Sequence, residues 1–559
     1  MLKRLPFVFL RISAVIAAGL LLVGYAAAQT PTIPPEIGSQ NTVTAEPAVP
    51  HPRTTPCVVT LFDNYVFENF NAQTFTYTPP ADCPGPWAKV VFEADFNVTA
   101  GIQYDRTAAI YLGHANIYYG TTAEPSPSFG PSWHIERDIT DYSSLFTTAQ
   151  TGEVDLGNLV NSTYTGIIYG TAAVYLYPLP EWEPTPVTPD AVFPMPDAEG
   201  GAATLSTTAS QLSQTFTLPT NIERAYLDVI TQSQSDDEFW YTCVPNDVAT
   251  ELESCGNTAF REAEISIDGQ PAGVAPVYPW VFTGGVDPWL WFPLPGVQTL
   301  DFVPYRVDLT PFAGVLSNGQ SHTVALSVYN ADSYFLATAS LLVYLDHGSS
   351  QVTGAVTSNT LAAAPSPNVV ENLTTNPDGS IDGTVTVSSN RAFEISGYVN
   401  TSHGKVSTAV LQSVNFVNSQ QFTINTTQFD QDITQKTGVT STSLTRIGPQ
   451  TFATFEEFTY PFTFDINVTF NADGSADQTS IVHQSWQKTV LSPTFASTTS
   501  NHVDTTDTIV FLADGSYYNQ DQSSDQTYKT FNSTGFFYDC TLKAANNALT
   551  SIGQGCQSR

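Results

Sequence analysis

The chain has 559 residues and a formal net charge of −34, and so acidic a protein repels nucleic acid and anionic membrane surfaces. Its hydrophobic content of 42% is enough to fill cores, which excludes an intrinsically disordered chain. A chain of this length exceeds one hydrophobic core, so about two to four domains are expected.

The first 28 residues have the three parts of a secretory signal peptide. Basic residues open the chain, residues 12–28 are apolar, and Ala26-Ala27-Ala28 supplies the small residues that a signal peptidase requires. We therefore expect cleavage before Gln29. The alternative is an uncleaved anchor, at the short limit for a membrane span. Cleavage leaves 15 basic and 52 acidic residues, a net charge of −37. The mature protein is expected to be soluble, without membrane contact, and secreted or extracellular, with the cell wall or vacuole as further destinations.

Residues 29–56 are rich in Pro and Thr and are predicted to be a flexible lead-in. From residue 57 onward the hydrophobic pattern has the period of two that is typical of strands, and Asp-Gly pairs predict hairpin turns in the last third of the chain. The sequence predicts an all-β fold with two jelly-roll or β-sandwich domains side by side and a C-terminal β-rich region. The expected parts are a first sandwich at 57–180, a Pro-rich linker at 181–201, a second sandwich at 202–347, a linker at 348–370 and a C-terminal domain at 371–559.

Six cysteines in an exported chain predict disulfides, and no Cys-x-x-Cys spacing indicates a redox or zinc role. Pairing of neighbours is the simplest of several connectivities, and it would join Cys57 to Cys83, Cys243 to Cys255, and Cys540 to Cys556. Seven Asn-x-Ser/Thr acceptor sites predict N-glycosylation at Asn97, Asn161, Asn372, Asn400, Asn425, Asn467 and Asn532.

Common catalytic motifs are missing from the sequence. It has no Gly-x-Ser-x-Gly elbow, His-Glu-x-x-His pair, P-loop or dinucleotide fingerprint. The eight histidines are scattered, so no metal site and no cofactor is expected. If the protein is an enzyme, carboxylates and aromatic residues must carry its chemistry.

Three segments combine such residues. Asp105-Arg106 begins an apolar strand, Glu124 precedes a proline shortly before Trp133, and residues 236–241 place three acids beside three aromatics. Aromatic faces stack on sugar rings, and their low-dielectric surroundings raise the pKa of a nearby carboxyl group. The alternatives are a solvated strand end, a turn acid beside a half-buried tryptophan, and an acidic surface loop.

Together these segments resemble the peptide-N4-(N-acetyl-β-glucosaminyl)asparagine amidase A family, the plant and fungal peptide:N-glycanases. The resemblance covers about residues 57–347. It rests on a series of short motifs that arrive in family order: Tyr104-Asp105-Arg106, Thr122-Ala123-Glu124-Pro125, residues 136–140, residues 163–166, residues 237–241, Phe260-Arg261-Glu262, residues 267–269 and residues 282–285.

A more distant similarity to the bacterial peptide:N-glycanase F implies roles for individual residues. In that enzyme the acid of an Asp-Arg pair at a strand start is the principal catalytic group, which implies this role for Asp105. Glu238, two residues before Trp240, is the candidate second acid, although another register places Asn257 there. Glu124 is the candidate third acid. The implied substrate-binding residues are Arg106, Trp133, Asp237, Trp240, Arg261 and Trp291.

The resemblance implies a glycoamidase that cleaves the amide between GlcNAc and asparagine. It would release the intact N-glycan as a glycosylamine and leave aspartate behind. The expected partners are N-glycopeptides or denatured glycoproteins, and not nucleic acid. The alternatives are a non-catalytic glycan-binding protein and a cell-wall surface glycoprotein.

Overall fold

The computed structural model describes residues 35–181 and 184–557. The predicted signal peptide therefore lies outside the described residues. The described chain forms 28 strands and only short helical turns, which confirms the predicted all-β fold. The α-helices are α1 (Asn246–Ala249) and α2 (Ala313–Leu316), and 3-10 turns span Thr140–Thr147, Ser235–Asp237, Trp240–Thr242, Pro288–Trp291, Thr310–Phe312 and Gln554–Gln557. None of the described helices has the length and apolar character needed to cross a membrane.

The first β-sandwich consists of two four-stranded antiparallel sheets, ordered β1-β8-β3-β6 and β2-β7-β4-β5. Alternate residues of β3 and β8 point into one apolar core, as the period of two requires. The strands are β1 (Cys57–Phe67), β2 (Gln73–Tyr77), β3 (Trp87–Val98), β4 (Thr107–Leu112), β5 (Ala115–Thr121), β6 (Ser132–Asp138), β7 (Gln150–Asp155) and β8 (Ile168–Pro178).

The second β-sandwich pairs a five-stranded sheet with the four-stranded sheet β11-β16-β13-β14. In the larger sheet the order is β10-β17-β12-β15, and β9 also pairs with β17. The central strand β12 is buried along most of its length, since both of its faces are covered. The strands are β9 (Ala191–Met195), β10 (Ala203–Leu205), β11 (Leu212–Thr217), β12 (Ile222–Gln234), β13 (Glu262–Ile267), β14 (Gln270–Pro276), β15 (Tyr305–Asp308), β16 (Ser321–Tyr329) and β17 (Tyr334–Leu345).

The C-terminal region is a single eleven-stranded sheet, here called the C-terminal sheet, in which β20 to β28 follow one another as an antiparallel meander. The predicted Asp-Gly turns join β19 to β20, β23 to β24, and β25 to β26, and their glycines have positive φ. The strands are β18 (Thr353–Asn359), β19 (Asn368–Thr375), β20 (Ile381–Thr401), β21 (Gly404–Ile424), β22 (Gln428–Ile447), β23 (Gln450–Phe470), β24 (Ala476–Leu491), β25 (Ala496–Phe511), β26 (Tyr517–Asn532), β27 (Phe537–Ala545) and β28 (Ala548–Ile552).

The inner face of the C-terminal sheet packs against the second sandwich and shares its hydrophobic core. Phe416, Phe458 and Phe462 lie in the same buried cluster as Trp240 and Tyr241. The opposite face of the sheet is polar, so its long strands alternate between apolar and hydroxyl or amide side chains.

Two segments that were predicted to be linkers contain strands. Strand β9 lies within residues 181–201 and pairs with β17, while β18 lies within residues 348–370 and pairs with β20. Proline and glycine content predicted unpaired chain here. The error arises because these are edge strands, which tolerate such residues when a distant strand offers a free edge.

The described part of the predicted flexible lead-in, residues 35–56, is held against the protein. Ala45 is buried, and its N–H donates to Gln526 Oε1 at 2.8 Å. The N–H of Val43 donates to the carbonyl of Pro293 at 3.0 Å. The segment has no helix or strand, but partners from two domains satisfy its backbone, so the predicted flexibility is wrong there.

Three disulfides join neighbouring cysteines, the simplest of the possible connectivities: Cys57–Cys83, Cys243–Cys255 and Cys540–Cys556. The seven acceptor asparagines all fall within the described residues, and none of them is buried. Their glycosylation stays a prediction.

Replacement of Phe462 by Ala is expected to destabilise the protein. The Phe462 side chain is 1% exposed, and its ring centroid lies 4.8 Å from that of Tyr241. Loss of a buried phenylalanine costs about 3–5 kcal/mol in the free energy of unfolding. Phe537→Ala, at a 72% exposed position of the same sheet, should change it by less than about 0.5 kcal/mol. Denaturant unfolding of both variants measures the difference, and equal losses would contradict the described packing.

Candidate active site

Asp105 and Glu124 meet at one end of the first sandwich. Asp105 lies just before β4 and Glu124 just after β5, and these strands are antiparallel neighbours. The N–H of Arg106 donates to Thr122 Oγ1 at 2.9 Å, and the N–H of Asp105 donates to Glu124 Oε1 at 2.9 Å. The local backbone therefore places the two carboxyl groups side by side.

A loop from the second sandwich closes over this pair. The hydroxyl of Thr283 donates to the carbonyl of Thr122, which brings Gly284 against the carboxyl groups. A Cβ atom on Gly284 would lie 2.2 Å from Glu124 Oε1 and 2.6 Å from Asp105 Oδ1. Only a residue without a side chain fits there. Because Gly284 belongs to the second sandwich and both acids belong to the first, the site is built from both domains.

Burial separates the protonation states of the two acids. Burial raises the pKa of Asp105 to about 6, against the hydrogen bond from Glu124 and the charge of Arg106, which lower it. Burial, followed by the charge of Asp105, raises the pKa of Glu124 well above its ordinary value. The pair therefore holds a proton on Glu124 while Asp105 is ionised, which is the division that two adjacent carboxyl groups adopt.

Glu238 supplies a third carboxyl group from the second sandwich. Burial and then the charge of Asp105 raise its pKa to about 8. Glu238 lies directly after the 3-10 turn that ends β12, and its N–H donates to the carbonyl of Ser235 at 3.0 Å. At neutral pH this acid is protonated, within the electrostatic reach of an ionised Asp105.

Asp237 and Arg261 form a buried ion pair behind Glu238. The Arg261 side chain donates to Asp237 Oδ1 at 2.8 and 3.0 Å, and the other oxygen of Asp237 accepts the N–H groups of Asp332 and Ser333. Both side chains are at most 1% exposed. The structure thus places these two predicted substrate-binding residues beneath the loop, where they hold its shape and do not reach a ligand.

The three predicted tryptophan platforms lie in the protein core. Trp133 stacks on Phe96 with ring centroids 5.6 Å apart, Trp240 is fully buried, and Trp291 donates from Nε1 to the carbonyl of Gly285 at 2.8 Å. No ring among the three is more than 2% exposed. Burial leaves no free face for a sugar in this conformation, whereas Trp291 supports the Gly284 loop from behind.

Arg106 and two tyrosines line the open side of the site. Arg106 donates from Nη2 to Gln103 Oε1 at 2.6 Å and lies 5.9 Å from the ring centre of Tyr104. Tyr104 is 41% exposed, and its ring centroid lies 5.3 Å from that of Tyr164. The sequence analysis did not predict these tyrosines as site residues, although each belongs to one of the family motifs. The position of Tyr104 next to Asp105 was the signal that could have indicated it.

Gln232 is a further residue that the sequence did not indicate. It is fully buried on β12, and its Nε2 lies 3.0 Å from the hydroxyl of Thr107, directly after Arg106. The hydroxyl of Tyr119 donates to its Oε1 at 2.8 Å. This amide fixes the start of β4 against the second sandwich, and no sequence pattern distinguishes it from other strand glutamines.

Comparison with known proteins places this geometry in a family. Residues 46–362 match the family described as peptide N-acetyl-beta-D-glucosaminyl asparaginase amidase A. The peptide-N4-(N-acetyl-beta-glucosaminyl)asparagine amidase A of Prunus dulcis is 31% identical over 396 residues, which cover 66% of this chain and 67% of that protein.

Two solved structures match the chain at much lower identity. A peptide-N(4)-(N-acetyl-beta-D-glucosaminyl) asparagine amidase crystal structure matches 52% of this chain and 96% of its own, with 14% identity and a TM-score of 0.34. PNGF-II matches 52% of this chain and 65% of its own, with 13% identity and a TM-score of 0.36.

The class of protein is therefore a hydrolase that acts on a carbon–nitrogen amide bond. More particularly, the chain belongs to the peptide N-acetyl-beta-D-glucosaminyl asparaginase amidase A family. The predicted membership of this family is confirmed.

A methyl group at position 284 should disrupt the site without unfolding the protein. In Gly284→Ala the new Cβ would displace both carboxyl groups, and misplacement of catalytic groups by about 1 Å costs on the order of a hundredfold in rate. Gly438→Ala is the matched control, since nothing lies within 4 Å of a Cβ there. Amidase rates and circular dichroism of both variants check the expectation, which fails if Gly284→Ala keeps full activity.

Proposed function

We propose that this protein hydrolyses the amide between GlcNAc and asparagine in N-glycopeptides and denatured glycoproteins. The intact glycan leaves as a glycosylamine, and asparagine becomes aspartate. The observation that carries the proposal is the contact of the Asp105 and Glu124 carboxyl groups, which have separated pKa values, in a chain of this family. The charge of Asp105 also acts on a third acid, Glu238.

The first half of the reaction requires a base. Asp105 is ionised above pH of about 6 and takes a proton from water as its oxygen attacks the amide carbonyl carbon. Glu124, protonated and hydrogen-bonded to Asp105, keeps that carboxylate oriented. Arg106 offers positive charge beside the pair, where negative charge develops on the carbonyl oxygen.

The second half requires an acid. Amide nitrogen is a poor leaving group unless it gains a proton as the carbon–nitrogen bond breaks. Glu238 is protonated below pH of about 8 and gives its proton to that nitrogen. The carbon keeps the hydroxyl from water and becomes the aspartate carboxyl group, so all atoms of the hydrolysis are accounted for.

The setting in which this reaction occurs is proposed from the leader and the disulfides. The first 28 residues read as a signal peptide, and three disulfides fit an oxidising compartment. Secretion is the proposed route, and N-glycosylation of the chain itself follows from the same route.

The experiment that tests the function is mass spectrometry of a defined N-glycopeptide after incubation with the protein. Conversion of asparagine to aspartate together with release of the whole glycan supports the amidase. One GlcNAc left on the peptide indicates an endoglycosidase, and an unchanged glycopeptide that stays bound indicates a glycan-binding protein.

Asp105→Asn should reduce glycan release by about a hundred- to ten-thousandfold, because the amide cannot accept the proton of water. Asp236→Asn is the matched control, since Asp236 is exposed in the acidic segment beside Glu238. Single-turnover rates on the glycopeptide measure both, with thermal melting as the check on folding. Near-normal release by Asp105→Asn would remove Asp105 from the mechanism.

The rate is expected to have a bell-shaped pH dependence with limbs near the two pKa values. Release rises as pH increases through about 6, where Asp105 loses its proton, and falls through about 8, where Glu238 loses its own. Profiles of kcat/KM against pH report these groups in the free enzyme. Glu238→Gln should lower the maximum and abolish the alkaline limb, and an alkaline limb retained in that variant would contradict the assignment.

A further inference from the structure

The segment that carries Gly284 lies against the inner face of the C-terminal sheet. Gln484 on β24 holds both ends of this segment, because its Nε2 donates to the carbonyl of Pro279 at 2.7 Å and its Oε1 accepts the N–H of Val297 at 2.7 Å. Thr505 on β25 holds the middle, since its hydroxyl donates to the carbonyl of Leu290 at 2.7 Å. The C-terminal sheet therefore holds the segment that carries Gly284 at three points.

The loop itself has a backbone that requires such support. Val286 has a φ of 72°, in the left-handed region that a β-branched residue avoids. Strained residues of this kind persist only where surrounding contacts fix them. Asp287 follows directly. Its N–H donates to the carbonyl of Gly285 at 3.0 Å, and its Oδ1 accepts the N–H of Leu290 at 3.1 Å.

Asp287 faces Asp507 of β25 inside the protein. The two residues are 4% and 1% exposed, and their Oδ2 atoms are buried without an amide or hydroxyl donor from any described residue. A hydrogen bond between the two side chains accounts for both of these Oδ2 atoms. Two carboxyl groups can do so only when one of them keeps a proton, and two bare carboxylates would repel.

We propose that the C-terminal sheet positions the Gly284 loop through the Asp287–Asp507 pair, which one shared proton holds together. Asp507 is a positioning residue, since it acts through the loop and does not belong to the Asp105–Glu124 pair. The expected effect on kcat rests on the proposed function, whereas the expected effect on the mobility of the loop does not.

The surroundings of the pair favour the shared proton. Burial raises the pKa of both acids, and the negative charge of Asp521 on β26 adds to this at Asp507. The neutral groups that face the pair are Asn519, which donates to Asp507 Oδ1, and the backbone N–H groups of Leu290 and Trp289. The proton is retained at low and neutral pH and lost as pH rises through the raised pKa, so the loop is held at the pH of the proposed reaction.

Two substitutions of Asp507 separate the shared hydrogen bond from general packing. In Asp507→Leu the Oδ2 atom of Asp287 loses its partner, while Oδ1 keeps the N–H of Leu290. Hydrogen–deuterium exchange of residues 282–291 should then accelerate at least tenfold, and kcat on the glycopeptide should fall about ten- to a hundredfold with KM nearly unchanged. In Asp507→Asn the amide donates to Asp287 in place of the proton. Both readouts should then stay within about threefold of the wild type.

Asp504→Leu is the matched control, because Asp504 lies on the same strand but on the opposite face, beside His483 and His502. It should leave loop exchange and kcat unchanged. If Asp507→Leu does not fold, Thr505→Val removes the bond to Leu290 and should also accelerate exchange in 282–291.

Wild-type exchange in Asp507→Leu, or equal disruption in Asp507→Asn and Asp507→Leu, would overturn the proposal. If the wild-type protein releases no glycan, the proposed function fails. The exchange measurements still decide whether the pair holds the loop.

Discussion

Burial of the Asp105–Glu124 pair, which raises the pKa of both acids, is the constraint on which the rest of the site depends. In water both acids would have a pKa of about 4, so neither would keep its proton at neutral pH. Burying an ionised carboxylate is costly unless hydrogen bonds and charge offset it. The hydrogen bond from Glu124, the charge of Arg106 and the backbone N–H of Gly284 supply that compensation to Asp105. Gly284 also covers the pair with backbone alone.

This burial requires two domains that do not move against each other, because Gly284 of the second sandwich covers acids of the first. Arg306 of the second sandwich pairs with Asp228 at 2.7 and 2.8 Å and with Asp141 of the first sandwich. Gln232 bonds across the same interface to Thr107. Polar contacts of this kind add little net stability, but each is satisfied in only one arrangement. They therefore fix the angle between the sandwiches, and with it the distance from Gly284 to the acids.

The sequence predicted those features that local pattern determines. Alternation predicted strands, and the family motifs led to Asp105 and Glu124, which the fold brings together, and to Glu238, on which the charge of Asp105 acts. Burial of Trp240 was not predictable, because alternation does not reveal whether another layer covers a face. The same limit applies to Arg261, whose partner Asp237 lies 24 residues away. The sequence indicated Gly284 only as part of a motif, because its importance depends on the two carboxyl groups that lie against it in the fold.

The C-terminal sheet explains why a hydrolase of two sandwiches carries a third region. Its inner face is not uniformly apolar, because Asn418, Gln420 and Gln431 are buried there and donate at 2.9 Å to the three successive carbonyls of residues 241–243. A short 3-10 turn cannot satisfy those carbonyls itself, and each buried carbonyl without a donor costs about 1–3 kcal/mol. This turn begins two residues after Glu238. The sheet thus completes, from behind, the loop that carries the acid as well as the loop that closes the carboxyl pair, so removing it would expose unsatisfied backbone in both.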